Sequence, residues 1–180
     1  MLGVGPTPEL LLALLDRTRT EKVLVFTRTK HGANRLTKQL VADGLSAAAI
    51  HGNKSQAQRT RALAEFKQGD IRVLVATDIA ARGIDVESLP HVINFDVPDE
   101  AENYVHRIGR TGRAGASGEA ISLVSRDDFR NLCAIEQHLG YFVTREVVEG
   151  FAPKLAVPAS NSDYAPKSAS KSRRRQSNRR

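Results

Sequence analysis

The chain has 180 residues, 41% of them apolar and 26% charged, which suits one soluble domain of the usual ~100–150 residues with a tail. No apolar stretch approaches the ~20 residues needed to cross a bilayer, and MLGVGPTPELLLALLD has no basic segment ahead of its leucines, so neither a membrane span nor secretion is expected. The net charge is +7, but residues 158–180 carry seven Lys/Arg against the single Asp163, so that stretch holds +6 and residues 1–157 only +1.

In chain order, Thr7-Pro8-Glu9 offers a hydroxyl N-cap and an N1 proline to a helix that begins before the leucines. Val23-Leu24-Val25-Phe26 follows as a short apolar run, then a stripe of Ala33, Leu36, Leu40 and Val41 that ends at Gly44, the pattern of a helix. The alternation repeats with Ala47-Ala48-Ala49-Ile50, then Ala62, Leu63 and Phe66 ahead of Gly69, then Val73-Leu74-Val75-Ala76. Val92-Ile93-Asn94-Phe95 precedes a helix whose acidic first turn is read at Pro98-Asp99-Glu100. Ala120-Ile121-Ser122-Leu123-Val124 precedes the last helix, capped by Ser125 or Asp127 and carrying Phe129, Leu132, Cys133 and Leu139. The runs are continuous rather than alternating, which predicts strands covered on both faces. The fold class expected is α/β, a mostly parallel sheet with helices on both faces and right-handed crossovers. Cys133 lies on an apolar stripe and reads as a small core residue. Being the only cysteine, it leaves no disulfide, and neither it nor the five histidines has metal-ligand spacing; a reducing, cytoplasmic setting follows.

In such sheets ligands bind beyond the carboxyl ends of the strands. The residues there are polar: Thr27-Arg28-Thr29-Lys30, then His51-Gly52-Asn53-Lys54-Ser55-Gln56 with Arg59, then Thr77-Asp78 and Ala81-Arg82-Gly83-Ile84-Asp85. Hydroxyls, glycines and cations on one rim suit phosphate oxygens, which accept from unblocked backbone N–H groups and charged donors. The sharpest cluster is His106-Arg107-Ile108-Gly109-Arg110-Thr111-Gly112-Arg113, with three arginines and no acid. Two guanidinium charges ~6 Å apart at an effective dielectric of ~20 repel by roughly 2–3 kcal/mol. Solvent, carboxylates or an anion must relieve them; an anion site is the economical reading, a solvated basic turn the bland one. Gly109 and Gly112 are read as letting the chain turn sharply there.

The blocks VLVFTRTK, IHGNKSQAQRTRAL, RVLVATDIAARGIDVESLPHVINFDVP and YVHRIGRTGRAG, in this order, resemble the second RecA-like domain of a DEAD-box ATP-dependent RNA helicase. The likeness covers about residues 20–150, and FTRTKHGAN and HGNKSQ are most similar to the bacterial RhlE subgroup. It implies a RecA-like domain over residues 20–150; the N-terminal helix within 1–19 leads into it, and a Ser-, Asn-, Pro- and Arg-rich composition with little to bury makes 151–180 a linker and disordered basic tail. It also implies that Arg110 and Arg113 reach the γ-phosphate of ATP as arginine fingers, that His106 couples the two helicase domains, and that Gly83 and Asp85 meet the ribose. Asp85 could instead be a helix or turn cap, the commoner fate of an Asp after Gly, but the motif around it favours the ribose. For RNA it points to Thr27, Arg28, Gly52, Arg59 and Thr77, small donors and cations fit to hold a sugar-phosphate backbone without reading bases. Arg61 lies close to Arg59, and the choice between them rests on the resemblance.

A complete enzyme of this kind also needs a first RecA-like domain with a Walker A loop, and the 180 residues hold no G-x-x-x-x-G-K-[ST] and no Gly-Lys dipeptide. Asp99-Glu100-Ala101-Glu102 is a helix start rather than the metal-binding DEAD block. The function implied is the C-terminal half of an ATP-dependent RNA helicase, with Mg²⁺ held mainly by the other domain. The alternative is a stand-alone RNA-binding or regulatory module without catalysis. The tail is either a phosphate-seeking arm for RNA or a passive solubiliser.

Overall fold

The computed structural model describes residues 6–18, 22–82, 86, 89–112 and 118–151. Within them the elements run α1 (Pro8–Thr18), β1 (Val23–Phe26), α2 (Lys30–Ala42), β2 (Ala47–Ile50), α3 (Gln56–Gln68), β3 (Val73–Ala76), α4 (Asp78–Ala81), β4 (His91–Asn94), α5 (Ala101–Ile108), β5 (Glu119–Ser122) and α6 (Phe129–Leu139). The strands form one all-parallel sheet in the order β2-β3-β1-β4-β5. Every predicted apolar run contains a strand, although Phe95, Leu123 and Val124 lie beyond the ends of β4 and β5. β4 and β5 each begin one residue earlier than the apolar pattern marks, because His91 and Glu119 pair in register although neither is apolar.

Strand side chains alternate between two covered faces. Val23, Val25, Val73 and Val75 pack with the α1 leucines and with Ala33, Leu36 and Leu40 of α2. Leu24, Phe26, Leu74 and Ala76 face the other way, against Ala62 and Phe66 of α3 and Ala80 and Ala81 of α4. A third cluster joins α5 to α6 through Tyr104, Val97, Val124, Phe129, Leu132 and Ile135. This double cover is why β1 and β3 are buried at every position.

Local chemistry sets the helix starts. Thr7 accepts the Leu10 N–H at 3.2 Å, Thr29 accepts the Gly32 N–H at 2.9 Å, and Ser55 forms a reciprocal capping box with Gln58. Leu10, Leu11, Leu14 and Leu15 of α1 are all buried, and each contributes on the order of 1.5–3 kcal/mol, so the helix expected to lead into the domain lies in its core. Val148 and Phe151 pack on the same cluster.

Three readings shift. Val41 is 54% exposed, since one residue beyond Leu40 the helix has turned ~100° away from the sheet. α5 starts at Ala101 with Glu100 at its N-cap, and Asp99 instead accepts from Asn131 of α6 at 2.9 Å, so these acids precede the first turn. The residue before α6 is Asp128; it donates its N–H to the Ser125 hydroxyl while its carboxylate accepts the Ser125 N–H. Cys133 is partly buried against the α5–α6 cluster, and burial raises its thiol pKa.

Candidate functional site

The strand order places β1 between β3 and β4, and the crevice outside the strand ends opens there. On the β2 side, the chain leaves Ile50 through a tight turn in which Lys54 N–H donates to the His51 carbonyl at 3.0 Å. The His51 ring is buried. Its Nδ1 accepts the Asn53 N–H at 3.3 Å, which leaves Nε2 as the donor to Asn34 Oδ1 at 2.9 Å and makes the ring neutral. Burial, followed by Lys54, Lys30 and His31, lowers its pKa below the usual 6.5. Lys30 in turn donates to Asn53 Oδ1 at 3.3 Å.

A lowered folded pKa means that the unfolded chain takes up the proton first as the pH falls through 6.5. The stability present above pH 6.5 is therefore lost on acidification. Urea unfolding at pH 7.5 and 5.5 is expected to show a larger loss for the parent chain than for His51→Gln; equal losses would contradict this.

Gly52 is exposed, and a Cβ built on it meets nothing within 4 Å, so no internal contact requires glycine there. Arg59 lies on α3 beside Gln56, its guanidinium 3.4 Å from Gln56 Oε1 and 3.4 Å from the Ala80 carbonyl of α4. Arg61 faces away, paired with Glu65 at 2.7 Å. Thr27 and Thr77 reach the same rim but are buried; Thr27 donates its hydroxyl to the Thr29 carbonyl at 3.3 Å. Arg28 leans toward β4 and α6, where it donates to the Val97 carbonyl at 3.0 Å and to Asp128 at 3.1 Å, with Asp99 at 3.6 Å.

On the β4 side, α5 presents Arg107 inward, and its side chain is 2% exposed. Nε and Nη2 clamp the two carboxylate oxygens of Asp78 at 2.6 and 2.7 Å. Nη1 donates to Asn94 Oδ1 at 3.1 Å and to the Asp96 carbonyl at 2.7 Å. The guanidinium also lies 4.9 Å from the centroid of the Phe26 ring. For this arginine the repulsion expected within the cluster is relieved by the Asp78 carboxylate rather than by a bound anion.

The turn after α5 is tied down by its backbone. Arg110 N–H donates to the Arg107 carbonyl at 3.2 Å, and the Arg110 carbonyl accepts the Leu89 N–H at 3.0 Å. The Thr111 hydroxyl donates to the Leu89 carbonyl. Gly112 has φ +69, a left-handed conformation that suits glycine, whereas Gly109 has φ −65 and does not use that freedom. At Gly118, a Cβ would fall 1.9 Å from Thr111 Oγ1, so close approach requires glycine where the chain returns to the sheet.

The rim thus gathers Thr27, Arg28, Gly52, Arg59 and Thr77, with Arg110 and His106 at its α5 end. Gly83, Asp85 and Arg113 lie outside the described residues. The sequence reading placed Asp78 and Arg107 on the rim without pairing them, and it missed Asn94 and Ser122, although each interrupts an apolar run and the two pair in register. His106, Arg82, Asn103 and Arg110 surround a cleft of about 20 Å³. A larger one of about 370 Å³ lies behind α5, between β5, α6 and residues 141–146, and holds none of the sequence-selected residues.

The family model of the helicase conserved C-terminal domain matches residues 6–115. Over 150 residues the chain is 45% identical to DEAD-box ATP-dependent RNA helicase 30 of Arabidopsis thaliana, covering 79% of this chain and 25% of that one. Over 134 residues it is 46% identical to the ATP-dependent RNA helicase RhlB of Klebsiella pneumoniae, covering 74% and 32%. The chain therefore spans about a quarter to a third of the length of these curated relatives. Among solved structures, the E. coli DEAD-box protein SrmB, bound to regulator of ribonuclease activity A, matches with a TM-score of 0.79 at 36% identity, covering 85% of this chain and 90% of that one.

Proposed function

Because the chain belongs to the helicase conserved C-terminal domain family, as the C-terminal RecA-like domain of a DEAD-box RNA helicase, we propose that it supplies one half of an ATP site and one half of an RNA grip. The observation that carries this reading is how α5 and the turn after it divide their arginines. Arg107 is consumed by Asp78, and the next turn is stitched to Leu89, so Arg110 is carried on a fixed backbone at the rim. A guanidinium held there neutralises charge on the transferring phosphoryl group. Arg113 is proposed as its partner finger, His106 as the link to the other domain, and Gly83 with Asp85 as the ribose contact, all from their sequence positions.

The cleft beside Arg110, about 20 Å³, is far smaller than the ~300 Å³ or more of a small-molecule site. ATP would therefore lie between this rim and a first RecA-like domain, which would hold most of the Mg²⁺ coordination. For RNA, the open backbone at Gly52 and the Gln56–Arg59 pair are the surface a sugar-phosphate chain can approach; the buried Thr27 and Thr77 would act through the rim's shape. Arg28 would meet RNA only by sharing the Asp128 ion pair. We read the FTRTKHGAN and HGNKSQ segments as RhlE-type and place the protein in the cytoplasm.

The reading is tested by joining the chain to a first helicase domain and following phosphate release. RNA-stimulated turnover that depends on Arg110 supports it, and turnover indifferent to Arg110→Ala rejects it. The linker and basic segment, residues 151–180, are proposed as an additional RNA arm. Ending the chain at residue 157 is expected to weaken binding of all single-stranded RNAs alike and to reduce the slope of log K against log salt by ~0.7 for each phosphate contact removed. Unchanged affinity and slope would make the segment a passive solubiliser.

A further inference from the structure

We propose that Asn94 is a positioning residue for ATP hydrolysis, acting through Arg107 to hold α5 and with it Arg110. Asn94 ends β4, is fully buried, and shares its sheet face with Leu24, Phe26, Leu74, Ala76 and Val92. A carboxamide among such neighbours is costly unless both its ends are bonded. Both are: Oδ1 accepts from Arg107 at 3.1 Å, and Nδ2 donates to the Ser122 hydroxyl of β5 at 3.1 Å. Ser122 donates onward to the Tyr104 phenol at 3.5 Å.

Tyr104 and Arg107 are three residues apart on the inward side of α5, both buried. The bonds therefore make a closed circuit, from Tyr104 through Ser122 and Asn94 to Arg107, that ties one helix face to two strands. What such a circuit resists is rotation of α5 about its axis. A turn of about 10° moves a guanidinium lying ~6 Å from the axis by about 1 Å, and a misplacement of that size can cost ~10²-fold in rate. Arg110 follows directly, since its N–H is bonded to the Arg107 carbonyl. An apolar residue at 94 would fill the same space but open the circuit, leaving Arg107 to Asp78 and the Asp96 carbonyl alone.

The inference rests on the reading of Arg110 as a finger, and the experiment separates the two. In the protein carrying both helicase domains, Asn94→Leu is expected to lower kcat by roughly 10–100-fold with KM for ATP and for RNA within about twofold. In an Arg110→Ala background the same change is expected to cost nothing further, because the effect passes through Arg110. Ser122→Ala, which removes the hydroxyl's bonds to Asn94 and Tyr104 but leaves the Asn94–Arg107 bond, is expected to lower kcat in the same way by less, and it carries the test if Asn94→Leu does not fold. Unchanged kcat in the folded variant, a matching rise in KM, or losses that multiply with Arg110→Ala would overturn the positioning role while the finger stands. An Arg110→Ala protein that hydrolyses ATP at the parent rate would instead remove the finger and the inference with it.

Discussion

Arg110→Ala, in a protein that joins this chain to a first helicase domain, is expected to lower RNA-stimulated ATP hydrolysis by at least about 10³-fold, the scale on which arginine fingers act in other NTPases. The cause is electrostatic. Phosphoryl transfer asks little covalent chemistry of the protein, so a preorganised positive charge where negative charge builds up is a large share of the catalysis. Stability should change far less than the rate, because the backbone that holds the turn does not depend on the side chain. Both backbone bonds of Arg110, to the Arg107 carbonyl and from the Leu89 N–H, survive the substitution. Phosphate-release kinetics with urea unfolding of the same variant check both halves; a variant that melts early but retains its rate would make Arg110 structural.

Asp78→Ala is expected to do the opposite kind of damage, costing about 3–5 kcal/mol of folding stability, as removal of one partner from a buried ion pair does. It strands the Arg107 charge, whose side chain is 2% exposed, whereas Asp78 itself is 27% exposed and can rehydrate when its partner is removed. The order of effect is therefore Asp78→Ala above Asp78→Asn, which keeps a neutral acceptor for the guanidinium. Urea unfolding of the 180-residue chain reads this directly. A loss under about 1 kcal/mol for Asp78→Ala would show that water reaches Arg107 in solution. Two arginines one helical turn apart would then fail in distinct ways, one through chemistry and one through the fold.

Much of the architecture was legible because burial on both faces writes itself as short apolar runs. Val23–Phe26 and Val73–Ala76 were read to the residue, and Thr7, read as an N-cap, caps α1 through a bond that spans only three residues. The site was legible as a rim of polar residues but not as a set of partners. Arg107 finds Asp78 across 29 residues of chain and Asn94 across 13, and only the placement of β3 and β4 on either side of β1 brings all three together. Charge counting in 106–113 found repulsion and weighed a bound anion against a solvated turn for its relief, since no acid lies in that stretch. The relieving carboxylate comes from another strand end, and strand order is not written in any local pattern.

The measurement that tests the account most directly is phosphate release with Mg²⁺-ATP and RNA, made on the purified 180-residue chain and on the same chain joined to a first helicase domain. Positioned arginines without a phosphate cradle and a metal site have little to act on. The chain alone is expected to give no turnover above its own Arg110→Ala/Arg113→Ala control, and the joined protein is expected to hydrolyse ATP in response to RNA. RNA-stimulated turnover by the isolated chain that the double substitution abolishes would contradict the account, for it would place a complete catalytic site within these 180 residues.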